Sequence, residues 1–466
     1  MPDDLLLVNM VPQALSGETN QDSEPMLAVN ASNPSLLAGT AFTPDPMGGP
    51  LAPIYISTDG GRTWTLNSIV PSQEGVSLTG DITIAFGPRS HDLYAGILRF
   101  PAPPGDTRLN VLRTRNFRGS TPMKVLLDRD GSDQPFIQAS LGPSRSTPKD
   151  SVFLGNNDFN QAPETTTVDF SLNPSEAAAT FKSARLDSRA SAGQNGPQVR
   201  PACHPDGVVY VAYYGWRQQS GNFAMNTLMV TADVVVVRDD AGASGTRPFR
   251  ALVDSDRLPG KIVARGVRFP FRAMGKTEEG QQRLGGDLSL AVDPRESRTI
   301  YIAYTALRSR VYTLHVRRSL DSGQTWSADL LTAPRSTNPA LAINSDGVVG
   351  LLYQQLTGSG TGTRWVTHFR RRTEPSGTWD DRVLATTSAV KPVKQFDPYL
   401  GDYDHLTSVG KDFFGIFSAS NQADPANFPN GVAYQRNHDF AAKRLLDLDG
   451  APVAVSIDPF FFKVAG

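Results

Sequence analysis

Short runs in which apolar and polar residues alternate recur along the whole chain, and each is followed closely by a second apolar run. Alternation with a period of two predicts a β-strand, and an Asn-Pro or Asp-Gly turn between two such runs predicts a hairpin. The first copy shows the pattern, with Glu24-Pro25-Met26-Leu27 before a turn at Asn33-Pro34. The chain is predicted to contain seven such hairpins, which open near Glu24, Asp81, Asp133, Val199, Asp287, Asn338 and Asp397.

The spacing of the hairpins indicates how they assemble. Most of them open about 50–60 residues apart, the length of four short strands with their turns. Such a unit is one blade of a β-propeller. The chain is therefore predicted to be all-β, a single propeller domain over residues 1–466 with seven blades, or six as the alternative. The longest gap predicts an insertion around residues 217–285, between blades four and five.

The two ends of the chain are both strand-like. Residues 5–8 read Leu-Leu-Leu-Val, and residues 453–462 end in three consecutive phenylalanines. An open ring of blades would leave exposed sheet edges, which folded proteins avoid. We therefore predict that the ends lie together, one of them supplying the outer strand of a blade formed mainly by the other.

Composition excludes several classes of function. Lys and Arg number 45 against 46 Asp and Glu, so the basic excess of a nucleic-acid-binding protein is missing. The only cysteine, Cys203, rules out an intrachain disulfide. No apolar run is long enough to span a bilayer. The first residues show no secretory signal, so we expect a secreted or periplasmic location if a signal was removed and a cytoplasmic one otherwise.

Two octapeptides, residues 57–64 and 319–326, share the spacing Ser-x-Asp-x-Gly-x-Thr-Trp. The Asp carboxylate can accept backbone N–H groups within a tight turn, the Gly can adopt a positive φ, and the Trp can pack beneath the turn. The pattern predicts turns between the outer two strands of a blade, and a partial third copy ends at Trp379. The structural residues are Ser57, Asp59, Gly61, Trp64, Ser319, Asp321, Gly323 and Trp326.

These octapeptides resemble the Asp-boxes, also called BNR repeats, of sialidase-like propellers, and the hairpin pattern extends the resemblance over nearly the whole chain. Residues 401–405 also resemble uncharacterised bacterial proteins described as sialidase-family or glycosyl hydrolases. The resemblance implies a propeller that acts on or binds an acidic glycan at the mouth of its channel, as a glycoside hydrolase or a polysaccharide lyase. The Asp-box is a folding device, so it assigns no catalysis by itself.

For a true sialidase the resemblance implies an early Phe-Arg-Ile-Pro-like motif, three arginines around the substrate carboxylate, a Tyr–Glu pair and typically six blades. The first hairpin opens with Ser23-Glu24-Pro25-Met26 and has no arginine. Three functions therefore remain: an enzyme acting on a glycan, a non-catalytic carbohydrate-binding lectin, and a protein-interaction scaffold in a larger assembly. A lectin should repeat one binding motif in every blade, whereas an enzyme should have one asymmetric mouth.

Polar side chains open six of the seven hairpins. Because the first strand of a propeller blade lines the central channel, these side chains should form a ring at one end of it. One interpretation is a calcium or magnesium site held by Glu24, Asp81, Asp133 and Asp397. In the other, each acid accepts a backbone N–H of the next blade, which the prolines after Glu24 and Asp397 favour. No cofactor is required by the proposed functions.

A catalytic carboxylate pair can be drawn from this ring and the seventh hairpin, with Asp402, Tyr403 and Asp287 as the candidates. Strand alternation places Asp402 and Asp404 on one face and His405 on the other. We assign His405 to substrate binding.

Four further side chains are candidates for substrate binding. Arg200 and Arg283 can bind an anionic ligand through their guanidinium groups, or bridge neighbouring blades through carboxylates. Trp216 and Tyr399 can stack on sugar rings, or pack in the core as such residues commonly do.

Overall fold

The structure is a computed structural model. It describes residues 4–42, 51–101, 106–142, 149–194, 198–222, 225, 227–271, 286–309, 311–373, 377–396 and 399–466, apart from the side chains of residues 76 and 77. Strands dominate these ranges, and the helical segments within them are three short 3-10 turns, Gln13–Leu15, Gly360–Gly362 and Pro425–Asn427. No helix within the described ranges is long and apolar enough to cross a membrane.

The described strands form seven four-stranded sheets and one three-stranded sheet, and neighbouring strands within each sheet run antiparallel. The chain enters with β1, Leu5–Asn9. Blades 1 to 3 are formed by β2 Ser23–Val29, β3 Leu37–Phe42, β4 Ile54–Ser57 and β5 Thr65–Asn67; by β6 Val76–Phe86, β7 Leu93–Pro101, β8 Arg108–Thr114 and β9 Lys124–Asp130; and by β10 Ser132–Leu141, β11 Asp150–Asp158, β12 Thr165–Ser171 and β13 Lys182–Arg185.

The remaining blades follow in chain order. Blades 4 to 6 are formed by β14 Val199–Cys203, β15 Val209–Ser220, β16 Met229–Asp239 and β17 Lys261–Pro270; by β18 Leu288–Val292, β19 Ile300–Arg308, β20 Val311–Ser319 and β21 Leu331–Pro334; and by β22 Ser336–Ile343, β23 Val349–Thr357, β24 Arg364–Arg372 and β25 Trp379–Ser388. Blade 7 combines β26 His405–Val409, β27 Asp412–Ser420, β31 Ile457–Val464 and β1, while β28 Asn437–Asp439, β29 Arg444–Leu446 and β30 Pro452–Val453 form the small sheet.

The first strands of the seven four-stranded sheets surround a common axis. Each contacts the first strand of the next sheet, and the contact between β26 and β2 completes the cycle. Apolar side chains from adjacent blades fill the space between them, as in the cluster that joins blades 4 and 5. The prediction of an all-β propeller is confirmed.

The ring is closed by strands from opposite ends of the chain. Strand β1 pairs with β31, so that Leu7 lies opposite Phe462, and β31 pairs in turn with β27. Phe460, Phe461 and Phe462 are fully buried. The predicted meeting of the two ends is confirmed, and pairing β1 into blade 7 satisfies a sheet edge that β31 would otherwise expose.

Residues 217–285 were predicted as an insertion between blades, but their described part supplies the end of β15 and the two outer strands of blade 4, β16 and β17. Residues 272–285 lie outside the described residues. The apolar run within β16 is buried on both faces because neighbouring blades pack against it. Among the connections that the structure describes throughout, the longer ones are 240–260 within this blade and 421–456 of blade 7, which carries the small sheet.

Glycine permits the close approach of blades at several inner positions. A Cβ on Gly155 in β11 would lie 2.5 Å from the carbonyl oxygen of Val199 in the next blade. No side chain fits in that space without moving the backbone of blade 4.

The turn of residues 57–64 between β4 and β5 has the hydrogen bonds that its sequence predicts. The Asp59 carboxylate accepts from the Ser57 hydroxyl at 2.9 Å, the Thr63 amide at 3.0 Å and the Thr63 hydroxyl at 2.6 Å. Gly61 has a φ of 90°, and the buried Trp64 donates its indole N–H to the Gly61 carbonyl. The turn of residues 319–326 repeats the carboxylate bonds, at 2.8 Å, 2.9 Å and 2.6 Å.

Replacing Asp59 by alanine should lower the free energy of unfolding by about 1–2 kcal/mol, since three hydrogen bonds to one carboxylate are lost at a partly exposed site. Urea denaturation of the variant measures the loss. The control is Glu74→Ala, which removes an exposed carboxylate and should change stability by less than about 0.5 kcal/mol. Equal effects of the two substitutions would show that the turn bonds contribute nothing specific.

Candidate functional site

The first strands of the blades all begin at the same end of the channel. We call this the polar end, because it gathers ionisable and amide side chains from the start of the first strand, or from the residues just before it, in all seven four-stranded sheets. Its described members are Glu24, Asp81, Gln134, Arg200, Asp287, Asn338, Asp402 and Tyr403. The connections between second and third strands, and those between blades, lie at this end as well, because strand direction alternates within each antiparallel sheet.

Arg200 lies at the centre of this group. Its guanidinium carbon is 4.1 Å from the ring centroid of Phe136 and 5.5 Å from that of Tyr403. Burial lowers the pKa of Arg200 to about 10, and Tyr403, Asp81, Asp287 and Asp402 act in the opposite direction. The arginine therefore remains charged at neutral pH, and it faces acids from several blades.

Asp402 links blades across the channel. Its backbone N–H donates to the Glu24 carboxylate at 3.2 Å, and its own carboxylate accepts from the Gln134 amide at 3.3 Å. Its carbonyl accepts from the Gln198 amide at 2.5 Å, and the Gln198 oxygen accepts from the Leu288 N–H at 2.9 Å. These bonds fix the position of Asp402 from several sides.

Asp287 is held by hydrogen bonds from its own blade and from the blade that follows it. One carboxylate oxygen accepts from the Asn338 N–H at 3.1 Å, from the Thr337 hydroxyl, and from the Thr305 hydroxyl at 3.3 Å. Burial raises the pKa of Asp287 to about 7, the Thr337 and Asn338 hydrogen bonds lower it, and the charge of Asp402 raises it further. Near neutral pH Asp287 can therefore hold a proton and release it.

The alternative in which ring acids accept backbone N–H groups of the next blade thus describes Asp287. The calcium or magnesium interpretation of Glu24, Asp81 and Asp133 has no such support. Within the described ranges, no group of three or more His, Cys, Asp or Glu side chains is arranged to hold a metal ion. The fourth proposed ligand, Asp397, lies outside the described residues, as does Arg283.

Three inner strands begin with the same backbone irregularity, which in blade 3 lies at Gln134, one residue after the predicted position, Asp133. Glu24, Gln134 and Asn338 each precede a proline, have φ values of 55°, 55° and 54°, and lie in a bulge of the first hairpin. Gln134, not Asp133, is therefore the counterpart of Glu24, and Asp133 is only half-buried. A left-handed conformation is sterically unfavourable for a residue before proline, so these three residues are unusual in their backbone. In the sequence, the X-Pro dipeptide at the start of an inner strand marks these positions.

Tyr403 and His405 differ from the roles predicted for them. Burial, with Asp81 and Glu24, raises the pKa of Tyr403 well above its usual value, although Arg200 opposes this. The phenol therefore stays neutral and is a poor nucleophile. Burial and the charge of Arg200 lower the pKa of His405 to about 3, and its ring lies 6.2 Å from that of Phe136. The neutral imidazole lies deeper in the channel than the polar end.

Trp216 and Tyr399 are core residues, which corrects their assignment to sugar stacking. The Trp216 ring packs 5.0 Å from that of Phe271 and is 1% exposed. Tyr399 is 2% exposed, and its hydroxyl donates to the carbonyls of Ser388 at 3.3 Å and Pro392 at 2.9 Å. Large apolar area favours burial, so neither ring presents a face to a ligand.

The opposite end of the channel holds a cavity of about 350 Å³, lined by the ends of the first strands of all seven blades. Leu27, Phe86, Val292 and Ile343 contribute to its wall, and so does Cys203. Burial raises the pKa of Cys203 to about 12, so its thiol is not an activated nucleophile. The polar end is the stronger candidate for chemistry.

No family model matches the chain, and no curated protein matches its sequence. Solved structures with similar folds include an α-L-arabinofuranosidase from Fusarium graminearum, with 10% identity, coverage of 97% of both chains and a TM-score of 0.45. An α-L-arabinanase from Penicillium chrysogenum, complexed with arabinobiose, gives 12%, 98% of both chains and 0.45. The phage phi92 endosialidase gives 12%, 99% of this chain, 69% of the other and 0.43. Similarity at this level carries no argument about activity.

Proposed function

We propose that the protein is a glycoside hydrolase that cleaves a glycan at the polar end of its channel. The observation that supports this most directly is the pair formed by Asp287 and Asp402, two carboxyl groups with different surroundings and a mutual electrostatic effect. Glycoside hydrolysis requires one carboxylic acid to protonate the leaving oxygen and one carboxylate to activate water or attack the sugar.

The surroundings of the two carboxyl groups support a different role for each. Asp287, with its pKa raised to about 7, is the proton donor. Asp402 is the carboxylate that activates water or attacks the sugar. Its side chain accepts a hydrogen bond from the Gln134 amide and interacts electrostatically with the positive charge of Arg200. Tyr403 remains neutral and can donate its hydroxyl proton in a hydrogen bond to the substrate.

The charge of the polar end bears on the sugar unit that is cleaved. The described acids there, Glu24, Asp81, Asp287 and Asp402, outnumber the single described cation Arg200. A sugar unit without a carboxylate avoids repulsion by these groups. The acidic glycan implied by the sequence therefore fits this position less well than a neutral unit does.

A second candidate is a non-catalytic scaffold, and burial is the observation that favours it. Arg200 is 5% exposed, Asp287 2% and Asp402 7%. A satisfied polar network of this kind can also serve to fix the register of the blades around the axis. The activity test below separates the two functions.

Replacing Asp402 by asparagine should lower the rate of reducing-end release from a cleaved glycan by at least about 100-fold, because general acid–base or nucleophilic catalysis is lost. The wild-type rate should also fall as pH rises through about 7, where Asp287 loses its proton. The measurement is a reducing-end assay over a panel of neutral and acidic oligosaccharides from pH 4 to 9.

The control is Asp346→Asn, an exposed turn residue paired with Lys411, which should leave the rate unchanged. Asp287→Asn should abolish release while the protein remains folded by circular dichroism. An absence of release from every member of the panel would leave the scaffold as the better proposal, and a full rate in folded Asp402→Asn would remove Asp402 from the mechanism.

A further inference from the structure

A second pocket of about 690 Å³ lies beside blades 6 and 7. We call it the rim pocket. Its volume lies within the range of about 300–1,000 Å³ that is usual for small-molecule sites. Its lining includes Arg364, Ser388, Lys391, Val393, Gln422 and Asp424.

The rim pocket opens on the same face as the polar end. Thr361 belongs to the connection between β23 and β24, and residues 420–427 begin the connection between β27 and β31. Residues 388–393 run from the end of β25 into the link from blade 6 to blade 7, and Asp402 and Tyr403 lie near the other end of the same link. The same link between blades therefore lines the rim pocket and carries the candidate catalytic residue Asp402.

The rim pocket carries uncompensated positive charge. Arg364 donates to the carbonyls of Thr361 at 3.3 Å and Thr363 at 3.1 Å, and it forms no ion pair with a described residue. The exposed Lys391 likewise has no ion pair among the described residues. The carboxylate of Asp424 is already engaged by Lys443 at 2.8 Å. An anionic group in this pocket could pair with both Arg364 and Lys391 without displacing a carboxylate of the described residues from either of them.

The remaining walls suit a sugar rather than a bare anion. Val393 is 83% exposed and Val390 is 37% exposed, so both present apolar surface to a ligand in the pocket. Ser388, Gln422 and Asn427 contribute hydroxyl and amide groups beside it. Apolar patches and a few placed polar groups are what the C–H face and the hydroxyls of a sugar require.

We propose that the rim pocket binds a carboxylated sugar unit of the same glycan whose neutral unit occupies the polar end. This inference rests on the proposed function, which it deepens by naming the substrate class: a heteroglycan in which a uronate lies near the cleaved bond. Arg364 and Lys391 hold the carboxylate, and Val390 and Val393 contact the ring.

The test is a calorimetric titration with digalacturonate and dimannuronate, which are short enough to occupy the rim pocket alone, and with their methyl esters. We expect at least one uronate dimer to bind. Arg364→Ala and Lys391→Ala should each weaken binding about three- to tenfold, and the double variant by more. The esters should bind weakly and equally to all variants. Arg62→Ala removes an exposed arginine on the opposite face and is the matched control.

The outcomes separate this inference from the proposed function. Uronate binding that the double variant loses, without any hydrolysis by the wild type, supports the rim pocket and opposes the enzyme. Hydrolysis with an unchanged KM in the double variant supports the enzyme and overturns the rim pocket. The inference also fails if neither dimer binds or if the esters bind as well as the acids. It fails likewise if replacing Arg364 and Lys391 weakens the binding of a hexaglutamate peptide as much as it weakens the binding of the uronate dimers.

Discussion

Replacing Arg436 by methionine is expected to destabilise the protein by about 3–5 kcal/mol, the usual cost of leaving a buried charge without its partner. Arg436 and Asp458 form an ion pair in which both side chains are completely buried. Methionine keeps much of the arginine's volume, so the loss should come from charge and hydrogen bonds rather than from a cavity. The Asp458 carboxylate would remain in the interior without its cation.

The position of this pair explains the size of the effect. Asp458 lies in β31 and also accepts from the Asn9 amide at 2.8 Å and the Asn421 amide at 2.9 Å. Arg436 comes from the 421–456 excursion, and it donates to the Glu18 carbonyl at 3.2 Å. The network therefore joins both ends of the chain to the excursion at the point where the ring of blades closes.

Equilibrium urea denaturation and the midpoint of thermal unfolding measure the effect. Arg444→Met is the control, since Arg444 lies in the same excursion and is exposed, and it should change stability by less than about 0.5 kcal/mol. A loss below about 1 kcal/mol for Arg436→Met would mean that the ring closure does not depend on this pair.

The second large effect concerns Glu18 in the same region. Burial and the charge of Asp458 raise the pKa of Glu18 to about 8, while the amides of Asn20 and Thr19 and the charge of Arg436 act in the opposite direction. In the unfolded chain a glutamate has its ordinary pKa of 4.5. The folded protein therefore binds more protons than the unfolded chain between these values, and folding stability must fall as pH rises through this interval.

Glu18→Gln should remove this dependence. The variant is expected to match the wild type near pH 4 and to exceed its stability at pH 9 by several kcal/mol, since each pKa unit corresponds to about 1.4 kcal/mol. Urea denaturation at pH 4, 6, 8 and 9 measures the difference. Glu74→Gln, at an exposed position, should follow the wild type throughout. Parallel pH curves for Glu18→Gln and the wild type would show that Glu18 is not buried as a neutral acid.

The candidate site was only partly predictable from the sequence. Glu24, Arg200 and Asp287 were identified because they lie near the starts of predicted hairpins, and Asp402 because it lies in the acidic segment of the seventh hairpin. The structure places all four at the polar end. Gln134 was missed by one residue, because a bulge changes which side chain points to the axis.

The buried network at the ring closure was not predictable at all. Asn9 and Asp458 are 449 positions apart, and Glu18 and Arg436 are 418 apart. No local pattern marks a charged side chain as buried when its partner comes from the other end of the chain. The same limitation made Trp216 a candidate for sugar binding, although neighbouring strands bury it completely.

The sequence alone determined the strands, the hairpins, the tight turns at Asp59 and Asp321 and the pairing of the two ends. The strands, hairpins and turns depend on alternation and turn chemistry over a few residues, and local interactions decide them. The pairing of the ends followed from the general rule that a ring of blades leaves no exposed sheet edge. Only the tertiary structure decided which polar side chains meet, how far each is buried and where its protons are held. Those properties depend on the distance and dielectric between groups from different blades, which the order of residues along a chain does not contain.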